Sequence, residues 1–127
     1  MNQSLIKTND KIFIAGARGM AGSAICRALS KKGYHQQLTP NREELDLLDN
    51  NAVNSWMQNN KPDVVILAAA TVGGIEANRS LPADFLLQNL RIEIHVIEAA
   101  WRVGVRRILF LGSSCIYPKY AEQPIER

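Results

Sequence analysis

The sequence predicts an α/β fold built on a doubly wound parallel sheet. Three observations carry that expectation. A short apolar run, Ile12 to Ala15, passes through a glycine-bearing turn, Gly16 to Gly22, into a segment with helical periodicity. A second run, Val64 to Ala70, is apolar without alternation, which suits a strand covered on both faces. Strand-like and helix-like stretches then alternate along the whole chain as β-α-β-α-β-α-β, an order that gives parallel pairing through crossover helices.

The elements follow in order. Ile12, Phe13, Ile14 and Ala15 form the first strand. Ala21, Ala24, Ile25, Ala28 and Leu29 recur at helical spacing and predict an apolar stripe on the first helix. Lys31 and Lys32 suit the negative end of its dipole, and Gly33 suits the left-handed residue that ends it. A weak strand over Gln36 to Thr39 stops at Pro40. Asn41 to Asp49 reads as a loop with two or three buried leucines, and Asp49 or Asn50 caps a second helix. That helix carries Val53, Trp56 and Met57 on one face and ends before Pro62. A glycine-bearing polar loop follows the Val64 to Ala70 strand. A long helix, 82–103, then starts near Pro82 with Asp84 in its first turn and closes at Gly104. Leu86, Leu90, Ile94, Ile97 and Trp101 repeat along it, and Phe85, Leu87, Val96 and Ala100 widen its apolar surface beyond one face. Arg107 to Leu111 is the last strand and runs into Gly112-Ser-Ser-Cys-Ile-Tyr-Pro118.

Four strands are fewer than such domains usually have, and the tail to Arg127 is polar. The expectation is the N-terminal part of a longer, Rossmann-like domain, with residues 1–10 a polar extension and 11–127 the nucleotide-binding unit. The chain is 127 residues long and 46% hydrophobic, enough for one domain with a core. It holds no stretch long and apolar enough to span a membrane and no signal-peptide core, so a cytoplasmic setting is expected. Its two cysteines, Cys26 and Cys115, have no metal-ligand spacing, and no metal is expected. A net charge of +3 with scattered arginines argues against nucleic acid as a partner.

The glycine turn narrows the function. The first glycine lets the chain turn tightly, the second lets backbone N–H groups approach a pyrophosphate, and the third lets helix pack close to strand. The helix start then offers N–H donors and a positive dipole end to the anion. In NAD-binding folds an acid about 20 positions after the first glycine holds the ribose 2′-hydroxyl. The segment His35 to Arg42 contains no acid; Arg42 stands there, and Arg18 sits inside the turn. Two cations favour a 2′-phosphate, hence NADP. Ligands in open α/β sheets lie beyond the carboxyl ends of the strands, so Ser113, Ser114 and Cys115 are expected to face the same crevice. A hydroxyl there can stabilise charge developing on a carbonyl oxygen, and a thiol can move a proton at the neighbouring carbon. The alternative is that the serines merely terminate the strand and the cysteine packs as a small apolar residue.

Gly16-Ala-Arg-Gly-Met-Ala-Gly22, Leu67-Ala-Ala-Ala70, Val72-Gly-Gly-Ile75, Pro82-Ala-Asp-Phe85, Gln88-Asn89 and Phe110-Leu-Gly-Ser-Ser-Cys-Ile-Tyr-Pro118 resemble the GDP-L-fucose synthase family of the extended short-chain dehydrogenases/reductases. The similarity runs from about Lys11 to the last residue. It implies NADP-dependent epimerisation of GDP-4-keto-6-deoxymannose at C3 and C5, followed by reduction of the 4-ketone. Carried over to this chain, Ser113 bonds the 4-keto oxygen and Cys115 is the base of the epimerisation. Gly16, Ala17, Arg18, Gly19, Met20, Ala21, Gly22, Arg42, Leu111, Gly112, Ser113 and Ser114 line the coenzyme site, with Glu43, Glu44, Leu45, Asp46 and Leu47 beside the adenine. The resemblance further implies a GDP-sugar substrate and a homodimer packed through helix 82–103. The family's Tyr-x-x-x-Lys pair is missing, because Tyr34, Tyr117 and Tyr120 have no lysine four residues on. The chain alone is therefore expected to bind NADP without turnover. Two other readings remain: a stand-alone dinucleotide-binding or regulatory module, and another NAD(P)-dependent nucleotide-sugar epimerase or dehydratase.

Overall fold

A computed structural model describes residues 6–68 and 83–110, with the backbone alone at position 85. The elements run β1 (Ile12–Ala15), α1 (Met20–Lys31), β2 (Gln37–Leu38), α2 (Asn50–Asn60), β3 (Val64–Leu67), α3 (Ala83–Val103) and β4 (Arg107–Phe110). The four strands form one sheet in the order β2-β1-β3-β4, and every pairing is parallel. From β1 the chain moves outward to β2 on one side, then returns to place β3 on the other. The crevice between β1 and β3 is thus the switch point of a doubly wound sheet.

Alternation of side chains across the pleat divides the core in two. Phe13, Ala15, Val65 and Leu67 face α2 and α3, where they meet Val53, Met57, Val96, Ala99 and Ala100. Ile12, Ile14, Val64 and Ile66 face the other way and pack against Ile25, Cys26 and Leu29 of α1, with Ile6 and Tyr34. All residues of β1 and β3 are buried, as an unbroken apolar run requires. The Phe13 and Trp56 rings sit 4.5 Å apart between centroids, tilted by 44°.

Several sequence-based expectations shift. Ala24 and Ala28 of α1 face solvent; the inward line is Ala21, Gly22, Ile25, Cys26 and Leu29, because α1 meets the sheet one residue round from the expected stripe. β2 keeps only two ladder residues, since Pro40 removes a donor just beyond it. On α3 the inward side is made by Asn89, Ile92, Val96, Ala99 and Ala100. Of the sequence-based stripe, Ile97 packs against the core, while Leu86, Leu90, Ile94 and Trp101 lie outward, with Ile94 58% and Trp101 76% exposed. Residues 69–82 and 111–127 lie outside the described part, and with them the expected ends of the third and fourth strands. Among the described residues no helix is long and apolar enough to cross a membrane.

The amino edge of the sheet is held by polar contacts. Lys11 N–H donates to the Asp63 carboxylate at 2.8 Å, and Arg106 N–H donates to the Asp63 carbonyl at 2.9 Å. These bonds tie the starts of β1, β3 and β4 together. Residues 6–10 join the same edge: Lys7 N–H donates to Asp10 at 2.7 Å, and Arg106 grips both Asp10 carboxylate oxygens, at 3.2 and 2.5 Å. The Arg106 guanidinium holds the Asp10 carboxyl below the usual carboxylate range, against burial, which pushes it up. A group whose pKa is lowered by folding adds stability above its unfolded value and loses it as the pH falls through its folded value. Asp10→Asn is therefore expected to lower the melting temperature by several degrees at neutral pH. Below about pH 4 the gap between variant and wild type should narrow; melting curves at pH 7, 4 and 3 check this.

Candidate functional site

α1 and α2 begin in opposite ways. At the start of α2 the Asp49 carboxylate accepts from Ala52 N–H at 3.1 Å, so that terminus is satisfied by the chain itself. At the start of α1 the cap residue is Gly19, no side chain bonds to the free N–H groups, and no acid lies in the first turn. Gly19 N–H closes back on the Gly16 carbonyl at 3.1 Å, and the Gly19 carbonyl accepts the first helical bond, from Ser23, at 2.9 Å. The amides of Met20, Ala21 and Gly22 are left without helical acceptors. They form a donor set at the positive end of a 12-residue helix, beside the switch point.

The three glycines have separate physical causes. Gly16 has φ +90°, the left-handed region that a side chain disfavours. A Cβ on Gly22 would lie 2.0 Å from the Gly16 carbonyl oxygen and 2.9 Å from the Ala17 Cα, so helix and turn touch backbone to backbone. Gly19 is different. Its φ is −75°, and a Cβ there would meet only the Gly16 oxygen at 3.6 Å. Nothing inside the fold demands glycine at 19; its missing side chain keeps the approach to the amides open.

A cleft of about 310 Å³ opens beside this turn. Gly16, Ala17, Arg18 and Gly19 form one wall, and Pro40, Asn41, Arg42, Leu45, Asp46, Leu47 and Leu48 another. Phe13, Ala15 and Ala68 make the floor at the strand ends, and Ile92 of α3 closes the side. Arg18 and Arg42 are both exposed, and neither forms an ion pair among the described residues. Two of the three nearby acids bond to backbone, and Glu43 is exposed. Asn41 and Glu44 cap each other's N–H groups reciprocally, both at 2.8 Å, which shapes the turn that carries Arg42. Asp46 accepts from Leu48 N–H at 3.0 Å. The cleft thus brings two cations together with leucines and an isoleucine, next to the free amides at the start of α1. That suits a ligand with phosphates on one part and a flat apolar ring on another.

The structure gathers eight of the expected site residues on this cleft: Gly16, Ala17, Arg18, Gly19, Arg42, Leu45, Asp46 and Leu47. Met20, Ala21, Gly22, Glu43 and Glu44 do not line it. The first three stand behind the turn in α1, and Glu44 turns its carboxylate to Asn41. Leu111, Gly112, Ser113, Ser114 and Cys115 lie outside the described residues. Sequence reasoning missed Ala15 and Ala68, although small residues at the ends of two buried strands were a signal. It also missed Ile92, which only the docking of α3 brings in. His35 is exposed; His95 is half-buried and bonded to a backbone carbonyl. Burial pushes the Cys26 thiol pKa up, which keeps it unreactive under α1.

The profile of the NAD dependent epimerase/dehydratase family matches residues 12–127. GDP-L-fucose synthase 1 of Arabidopsis thaliana is 51% identical over 122 residues, 96% of this chain and 38% of that protein. GDP-L-fucose synthase of Escherichia coli strain K12 is 51% identical over 118 residues, 93% of this chain and 37% of that protein. Among solved structures, the GDP-mannoheptose C4 reductase MlghC of Campylobacter jejuni, with NADP bound, matches with a TM-score of 0.74 and 36% identity. That match covers 83% of this chain and 33% of the other. The chain spans little more than a third of the length of the curated relatives it matches.

The glycines give a paired expectation. Gly22→Ala should cost about 1–3 kcal/mol of stability, because the new methyl meets backbone that cannot yield. Gly19→Ala should change stability by less than about 1 kcal/mol yet abolish binding of a diphosphate-bearing ligand. Thermal melts and pyrophosphate titrations of the two variants separate these effects.

Proposed function

We propose that this chain, which belongs to the NAD dependent epimerase/dehydratase family, binds NADP at the cleft between β1 and β3 as the coenzyme-binding part of a GDP-L-fucose synthase. The observation that carries the reading is the uncapped start of α1, next to a cleft lined by Gly16 to Gly19 and by Arg42. The amides of Met20, Ala21 and Gly22 hold the pyrophosphate, Arg42 and Arg18 hold the 2′-phosphate, and Leu45, Leu47, Leu48 and Ile92 enclose the adenine. Arg18 and Arg42 set two exposed cations beside the acids of this wall, of which Glu44 and Asp46 accept from backbone N–H groups and Glu43 is exposed. Likeness to an NADP-bound reductase and to two GDP-L-fucose synthases supports the same choice.

The proposed reaction begins on a GDP-linked 4-keto-6-deoxy sugar. The ketone acidifies the C–H bonds at C3 and C5. Cys115, as thiolate, takes the proton from one face, and Ser113 donates a hydrogen bond to the 4-keto oxygen as negative charge gathers there. A proton returned to the opposite face inverts the centre. Bound NADPH supplies the hydride that reduces C4. β4 ends at Phe110, at the carboxyl edge of the sheet, and Ser113 follows three positions later in the chain. These 127 residues contain no Tyr-x-x-x-Lys pair to protonate the reduced oxygen, so by themselves they bind coenzyme without turnover. A reductase of another GDP-sugar is the second reading, favoured by the likeness to MlghC; Cys115 as a base for epimerisation separates the two.

The outward stripe of α3 supports a homodimer. Leu86, Leu90 and Ile94 are about half exposed, so covering each is worth roughly half of the full-burial value, about 0.7–1.5 kcal/mol, and Trp101 adds more. Two such stripes exceed the smaller estimates of the cost of association, about 4 kcal/mol. A cytoplasmic setting completes the reading.

Titration with both coenzymes tests the cleft. Arg42→Ala should weaken NADPH binding by about 10- to 100-fold, the worth of one charge-assisted contact, and leave NADH binding nearly unchanged. Equal losses would refute the 2′-phosphate assignment. In a protein that carries the whole activity, Ser113→Ala and Cys115→Ser should each cut kcat by at least about 100-fold with NADPH affinity intact. Wild-type rates in either would remove that residue's role.

A further inference from the structure

His95 lies on α3, yet its Nδ1 sits 2.8 Å from the carbonyl oxygen of Leu47, 48 positions earlier in the chain. A carbonyl only accepts, so the ring carries a proton on Nδ1 and donates it. Leu47 stands in the middle of the cleft wall between two anchored points. On one side Leu45 is buried in the core. On the other, Asp49 caps α2. α3 itself is held by Val96, Ala99 and Ala100 and does not need His95 to stay docked. The bond therefore bears on the wall more than on the helix.

We propose that His95 is a positioning residue for the adenosine half of the coenzyme cleft, fixing the backbone at Leu47 so that the Leu45–Leu48 wall stands ready for the purine. The inference rests on the reading of the cleft as an NADP site. His95 does not line the cleft and touches no ligand atom; it acts through Leu47. Without the bond the wall keeps both ends but samples other conformations between them, and ligand binding must then bear the cost of ordering it.

The test uses the 127-residue chain and three probes: NADPH, adenosine 2′,5′-bisphosphate and inorganic pyrophosphate. His95→Ala should weaken NADPH and adenosine 2′,5′-bisphosphate by the same factor, about three- to tenfold, the range expected for one hydrogen bond, and leave pyrophosphate unchanged. His95→Asn places an amide N–H where Nδ1–H stood and should restore both to within about twofold of wild type. Wild-type affinity in His95→Ala, failure of His95→Asn to rescue, or a parallel loss of pyrophosphate binding would each overturn the positioning role. If the wild-type chain binds pyrophosphate but neither adenosine-bearing probe, the coenzyme reading itself falls and takes this inference with it.

Discussion

An α-helix that starts without a cap leaves backbone donors that something must accept, and the rest of this molecule is arranged around that requirement at α1. The chain solves the same problem locally at α2, where Asp49 turns its carboxylate onto the first turn. At α1 it places glycine at the cap and no acid after it. The donors point toward the one place where a doubly wound sheet opens a crevice, between β1 and β3. That position depends on β1 and β3 being buried throughout, and on Gly22 letting α1 press against the turn at backbone distance. The sheet's interior, made of Ile12, Phe13, Ile14 and the Val64–Leu67 run, is in this sense the support of an anion site.

The opposite wall of the cleft is built from short polar devices. Asn41 and Glu44 cap one another, Asp46 closes an Asx turn onto Leu48, and Asp49 starts α2. Each device commits a carboxylate or amide to backbone. These bonds shape the loop without regular structure, and Arg42 and Asp46 both line the cleft.

α3 serves two environments at once. Its small residues, Ala99 and Ala100, let it sit close to the sheet, and Ile92 and His95 reach the cleft wall. Its other side carries large apolar side chains outward. One helix thereby links the cleft beside α1 to an outward apolar surface. The amino edge of the sheet, bound by Asp10, Asp63 and Arg106, carries none of this and serves stability.

Much of the fold was legible in the residues. β1, the glycine turn and α1, the cap at Asp49 and the buried run at Val64 all announce themselves through short-range patterns, because propensity, capping and turn sterics act over a few positions. The uncapped start of α1 and the arginines that flank it, Arg18 and Arg42, were legible for the same reason. Less was legible about which way faces point. Ala24 and Ala28 look like core and are not, and the most regular stripe of α3 faces out, because a helix's rotation is set by what it packs against and the sequence of one helix does not state it. Local sequence determined the elements, their order and the chemistry of the turn. Only tertiary structure decided that Ile92 joins the cleft, that His95 bonds its wall at Leu47, that Glu44 leaves it, and that Arg106 meets Asp10. The His95 and Arg106 bonds join residues 48 and 96 positions apart, the placing of Ile92 depends on how α3 docks and that of Glu44 on competition for a single hydrogen bond, and no local pattern encodes these.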